Sequence, residues 1–150
     1  MRAPFQVLVF PYEAGDDGSI RYAVFRRSDM RGCWQGISGG GEDVESPEEA
    51  AARETFEEAG IAGGSFIRLD SCAMLPVEKV CGLLWGPEVR AIPEYCFGVK
   101  TGHGEIALSR EHDAFLWLDY EGAFKRLTWA SNKAALKELH SRLSSASKGI

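Results

Sequence analysis

The stretch GGGEDVESPEEAAARETFEEAGI, residues 39–61, decides the fold, because its middle reads as a helix with both ends marked. Ser46 can cap the helix, Pro47 suits its first position, and Glu49 completes a capping box. Gly60 is a favoured residue just past a last turn. A helix is therefore predicted from Ser46 to about Ala59. It is entered from Gly39, Gly40 and Gly41, whose backbone is unrestricted. Each residue advances a helix by about 100°. Glu54, Glu57 and Glu58 then share one face, and Ala52, Thr55, Phe56 and Ala59 fall on the other, which is expected to pack against a sheet. Three carboxylates at these spacings repel one another. Arg53 can neutralise part of that charge, and a hard cation more, because carboxylate oxygens suit magnesium and manganese.

Outward from this helix the pattern alternates between strand and turn. Gln6 to Tyr12 and Ile20 to Arg26 read as a hairpin about the turn Asp16-Asp17-Gly18-Ser19. Trp34 to Ser38 reads as a short strand running into the glycines. Phe66 to Leu75, Glu94 to Lys100 and Phe115 to Leu118 are further strands. A second helix is predicted over Ser131–Leu143, with Ala135, Leu136, Leu139 and Leu143 as its apolar stripe. Strands interleaved with two helices indicate a mixed α/β domain over residues 1–143. The serine-rich residues 144–150 read as a flexible tail.

At 150 residues the chain fits one domain, and its 45% hydrophobic and 26% charged residues are ordinary soluble usage. There is no apolar run of about 20 residues to span a bilayer and no signal-peptide pattern, so a cytoplasmic protein is expected. Cys33, Cys72, Cys81 and Cys96 lack metal-ligand spacing and read as free core thiols. A net charge of −5 excludes a broad surface for long nucleic acid. It does not exclude a small phosphorylated substrate whose charge is bridged by cations.

The spacing within residues 39–61 is that of the Nudix box, G-x5-E-x7-R-E-U-x-E-E-x-G-U, where U is bulky and apolar. Gly39 opens it, Glu45 and Arg53-Glu54 follow, and Glu57-Glu58-Ala59-Gly60-Ile61 completes it. The one departure is Thr55 at the first U position, where its methyl can still pack. Beyond the box, Arg26-Arg27, Trp34-Gln35, Leu108-Ser109-Arg110-Glu111-His112 and Trp117-Leu118 resemble one branch of that family. So does Leu127-Thr128-Trp129-Ala130-Ser131-Asn132-Lys133. The branch includes bacterial pyrophosphohydrolases of dATP or dihydroneopterin triphosphate. Diadenosine tetraphosphate hydrolases share the Glu-His and Trp-Leu pattern but are less similar over Thr128–Asn132.

The resemblance implies an α/β/α sandwich with a mixed sheet, and hydrolysis of a nucleoside diphosphate-linked substrate with Mg2+ or Mn2+. Glu57 and Glu58 would be metal ligands, and Glu54 a ligand or the base that activates water. Gly39 or Gly40 would lend a carbonyl, while Glu45 and Arg53 brace the loop and helix. Glu111 would be a further ligand or base supplied from a loop, with His112 beside it in a hydrogen-bonding role. Arg26 and Arg27 are candidates for phosphate binding, although strand geometry lets only one face the site. Trp34 is a candidate for stacking on a base or pterin ring, with Trp117 and Trp129 expected to pack in the interior. The partners expected are a small nucleotide-like phosphate compound and, for protein, a second copy of the chain in a homodimer. Diadenosine tetraphosphate hydrolysis and a non-catalytic nucleotide sensor are the alternatives. The intact set of Glu54, Glu57 and Glu58 weighs against the sensor.

Overall fold

The fold is organised by a strand whose two faces are both apolar. In the computed structural model, which describes residues 1–80, 82–102 and 106–148, β1 spans Arg2–Ala14. Its Val7 and Val9 point to one face of the sheet and its Leu8, Phe10 and Tyr12 to the other. A strand covered on both sides belongs at the centre of a sheet. Accordingly β1 pairs in parallel with β6 (Ala91–Lys100) on one side. On the other it pairs antiparallel with β4 (Ile37–Glu42) and then β2 (Ile20–Arg27). β5 (Ser65–Pro76) continues the sheet beyond β6, while β3 (Trp34–Gln35) and β7 (His112–Leu118) pair with β2. The result is one mixed seven-stranded sheet.

Helices cover both faces. α1 (Pro47–Ala59) seals the face of Val7, Val9, Phe25, Ile37 and Phe97 with Ala50, Ala51 and Ala59. α2 (Tyr120–Arg126) and α3 (Ala130–Lys148) seal the face of Leu8, Phe10, Tyr22 and Cys96 with Ala123, Ala135, Leu136 and Leu139. This is the expected α/β/α sandwich. Among the described residues, no helix is long and apolar enough to cross a membrane.

The structure also corrects the sequence reading. The expected strand Trp34–Ser38 is split at Gly36, and its second part continues through the glycines to Glu42. α2 was absent from the expectation. It is a short helix capped by the Asp119 side chain, which accepts from the Gly122 N–H. α3 runs through Lys148 and so takes in most of the residues read as a tail, while Gly149 and Ile150 lie outside the described residues. Cys33 and Cys96 are buried free thiols, but Cys72 is exposed, and Cys81 lies outside the described residues.

The largest correction concerns α1. Its ends are as predicted: Ser46 and Glu49 form a capping box, and Gly60 closes the helix at φ 70°, a left-handed conformation that favours glycine. Its inward face is rotated from the expected one. Ala50, Ala51, Glu54, Thr55, Glu58 and Ala59 are buried, whereas Ala52 is exposed and Phe56 is 59% exposed. Small alanines let the helix lie close to the glycine-rich β4, a separation that a phenylalanine ring would prevent. Thr55 is fully buried, and its hydroxyl donates to the Ala51 carbonyl at 2.7 Å, so the departure from a bulky apolar residue leaves no polar group unsatisfied.

Candidate active site

α1 carries acids toward β4 rather than toward solvent. Glu54 and Glu58 are buried, Glu57 is exposed, and one carboxylate oxygen from each lies within 4.8 Å of the others. The Glu54 carboxyl sits directly on the backbone of Gly39, where an added Cβ would stand 2.0 Å from its Cδ. Only a glycine permits that approach.

Arg53 holds the group together. Its Nε and Nη2 donate to the two oxygens of Glu45 at 2.8 and 3.0 Å. Nη2 also reaches the Gly40 carbonyl at 2.7 Å, and Nη1 reaches Glu54 at 2.9 Å and Glu57 at 3.2 Å. The Gly40 carbonyl is thus engaged by Arg53, and Glu45 is the far anchor of the brace. Glu45 also accepts from the Glu42 N–H at 2.9 Å, which fixes the loop ahead of the helix.

The electrostatics follow from burial. Burial pushes the Glu54 carboxyl up to about 7, with Glu57 and Glu58 adding to the rise and Arg53 opposing it. Burial also raises Glu58, helped by the charges of Glu111 and Glu57 and opposed by the Ser109 hydroxyl, which donates to its Oε2. His112 Nδ1 lies 3.5 Å from the same oxygen. Burial lowers His112, so its ring is neutral near pH 7. Carboxylates crowded in a site that disfavours their charge form a donor set suited to a hard divalent cation. Glu111, on the loop before β7, is exposed, and its N–H donates to the Ser109 Oγ at 3.2 Å.

Glu54 and Glu111 stand in the wall of a cavity of about 1040 Å³ that extends from Gly39 to the α3 side of the sheet, and Glu57 and Glu58 adjoin Glu54. Arg27 lines it, with its guanidinium on Asp29 at 2.6 and 2.8 Å. Arg26 points elsewhere and pairs with Asp113 at 2.7 Å. Trp34 does not line the cavity. It is 8% exposed, packs in the α3-side core and lies between the guanidinium groups of Arg26 and Arg126. The structure thus places Trp34 in the core rather than in the cavity wall. Trp117 is half-buried against the α1-side core, whereas Trp129 is 38% exposed and lines the cavity, with its indole N–H donating to Gln35 at 3.1 Å.

Sequence reasoning also missed Arg2, Gln6, Glu94 and Ser131 in the cavity wall. Glu94 had a usable signal: an acid between Ile92 and Cys96 on the inward face of an alternating strand. Ser109 carried none, because only the chain path brings it onto Glu58.

Comparisons with known proteins agree with this architecture. The NUDIX domain model matches residues 6–139. A Listeria monocytogenes structure assigned as a NUDIX hydrolase superposes with a TM-score of 0.86 at 36% identity, covering 96% of this chain and 97% of that one. The dihydroneopterin triphosphate pyrophosphohydrolase of E. coli superposes with a TM-score of 0.73 at 26% identity, covering 91% and 94%. The asymmetrical bis(5'-nucleosyl)-tetraphosphatase of Sus scrofa is 29% identical over 130 residues, 87% of this chain and 85% of its own. A family match over nearly the whole fold, with Glu54, Glu57 and Glu58 of the box gathered in one cluster, means that this chain belongs to the Nudix family of hydrolases.

Proposed function

We propose that the protein is a metal-dependent pyrophosphohydrolase that cleaves a phosphoanhydride bond of a nucleoside-triphosphate-type substrate, such as dATP or dihydroneopterin triphosphate, and releases pyrophosphate. The observation that carries this reading is the cluster of Glu54, Glu57 and Glu58, of which Glu54 lines a cavity that also presents cations. Magnesium or manganese would be held by these three glutamates, with Glu111 and the backbone at Gly39 as further oxygen donors. Bound there, the ion would offset phosphate charge and make water a better nucleophile.

The chain's own groups divide the remaining work. Arg53 fixes Glu54 and Glu57 in place, so their oxygens need not reorganise during the reaction. Glu54, seated on Gly39, completes the oxygen set or accepts the proton of the attacking water. Ser109 orients Glu58 through its hydroxyl. Arg27, Lys79 and Arg110 line the same cavity and supply positive charge for the phosphates.

The choice of a triphosphate over a dinucleoside tetraphosphate rests on the segment 128–132. Thr128 accepts from the Trp34 N–H at 2.9 Å, and Asn132 accepts from the Gly36 N–H at 2.9 Å. Of this segment, whose sequence resembles the triphosphate branch, Trp129 and Asn132 line the cavity. Dinucleoside tetraphosphate hydrolysis is the second reading, favoured by similarity to the pig enzyme. Product analysis in 18O-water separates the two. Pyrophosphate and a monophosphate from a triphosphate are expected. A marked preference for diadenosine tetraphosphate in kcat/KM would replace the substrate class.

A further inference from the structure

On the α3 side of the sheet the cavity wall contains polar atoms that the chain itself leaves unused. Glu94 on β6 is 4% exposed, and its Oε1 has no hydrogen-bond partner. Arg2 on β1 has a buried Nε in the same condition. Both residues line the cavity, as do Gln6, which faces Glu94 across the β1–β6 pair, and Ser131 at the start of α3. The neighbouring Arg2 Nη2 is already used by Gln6. The one other unpartnered buried side-chain atom among the described residues is His112 Nδ1, which stands beside Glu58 at the acidic end.

An unpaired buried acceptor costs about 1–3 kcal/mol, and more when it is charged. Such a cost points to a ligand that meets it. The pair is chemically asymmetric. A carboxylate only accepts, and a guanidinium only donates. The matching ligand edge must therefore present N–H groups to Glu94 and an acceptor to Arg2. Trp129, with its N–H held by Gln35, supplies apolar surface in the same wall for a planar ring.

We propose that Glu94 and Arg2 recognise the 2-amino-4-oxopyrimidine edge shared by guanine and the pterins, with Glu94 accepting from the ring N–H and amino group and Arg2 donating to the ring carbonyl. This rests on the pyrophosphohydrolase reading and narrows its substrate from dATP or dihydroneopterin triphosphate to compounds that carry this edge. Adenine fits poorly, because its ring nitrogen would set a lone pair against the Glu94 oxygen. Donors from the ligand favour the ionised carboxyl, so binding and charge reinforce each other.

The test compares kcat/KM for GTP, dihydroneopterin triphosphate, ITP and ATP in wild type and Glu94→Gln. ITP keeps the ring N–H and carbonyl but lacks the amino group. Wild type should favour GTP or dihydroneopterin triphosphate over ITP by about 10-fold or more, the effect of one hydrogen bond to a charged group. ATP should be poorer still, and which of the two amino-bearing compounds is better identifies the source of the ring. Glu94→Gln should collapse this discrimination and raise kcat/KM for ATP relative to that for GTP. Equal wild-type values for GTP and ITP, or a Glu94→Gln loss equal across all four compounds, would overturn the proposal. Calorimetry of GMP and IMP binding to wild type in EDTA needs neither turnover nor a folded variant. Tighter GMP is expected, and equal affinity overturns the assignment. If dinucleoside tetraphosphates are the substrates instead, the triphosphate reading fails, and the GMP and IMP comparison still decides the role of Glu94.

Discussion

Individual side chains on α1 separate chemistry from scaffold. Glu58 contributes a buried oxygen to the acidic cluster, and Glu58→Gln keeps its shape while removing its charge. Turnover should fall by about 10²–10³-fold, the scale of losing one preorganised charge interaction in a transition state. The melting temperature in EDTA should hold or rise, because one repelling carboxylate is gone. Phe56→Ala should change stability by no more than about 0.5 kcal/mol, as for a surface site, measured by denaturant titration. A loss of several kcal/mol would mean that the ring is buried. Glu94 gives a pH signature. Burial raises its carboxyl above the ordinary 4.5, so the native state holds a proton that the unfolded chain has released. Its stabilising contribution is complete below pH 4.5 and is lost as pH rises through the native value. The melting-temperature gain of Glu94→Gln over wild type in EDTA should therefore widen from pH 4.5 upward. A gain that shrinks with rising pH would contradict the shift.

At the scale of elements, the loop and helix of residues 39–61 act as one unit. Ser46 accepts from the Glu49 N–H, and Glu49 accepts from the Ser46 N–H. Ser46→Ala should cost about 1 kcal/mol, read as a lower melting temperature with kcat little changed. Both ends of α1 were legible because caps are local chemistry, written in Ser46, Pro47, Glu49 and Gly60. Its inward face was not, because the choice between Phe56 and Glu54 depends on what the helix meets. It meets a strand of glycines, and the cavity wall requires the acids there. The central strands were legible from two-sided apolar runs such as Val7 to Phe10. α2 was not, since seven residues carry too little periodicity to register. Trp34 and Trp129 exchanged roles for a similar reason: sequence shows an indole's presence, but long-range packing decides which side it faces. Arg26 and Arg27 show what alternation does decide, since one faces the cavity and the other pairs outside it.

Taken whole, the molecule carries net charge −5, yet Arg2, Arg27, Lys79 and Arg110 converge on one cavity. Asp29, Glu42, Glu54, Glu94 and Glu111 line it too, so an anionic substrate needs a bridging cation as well as these basic groups. The cavity connects the acids on the α1 side with the ring-binding wall on the α3 side through the side-chain-free backbone of β4. Gly39→Ala would drive a Cβ into the Glu54 carboxyl, so it should lower turnover more than it lowers helix content by circular dichroism. Equal losses in both would make Gly39 a folding residue alone. The central claim is that Glu54, Glu57 and Glu58 act together as a cation-dependent hydrolytic centre. Its most direct test is the initial rate of pyrophosphate release from GTP and dihydroneopterin triphosphate as Mg2+ or Mn2+ is titrated into EDTA-treated wild-type protein. No release is expected in EDTA, with saturable recovery as the cation is added. Full release in metal-free buffer, or none at any cation concentration, would contradict that claim.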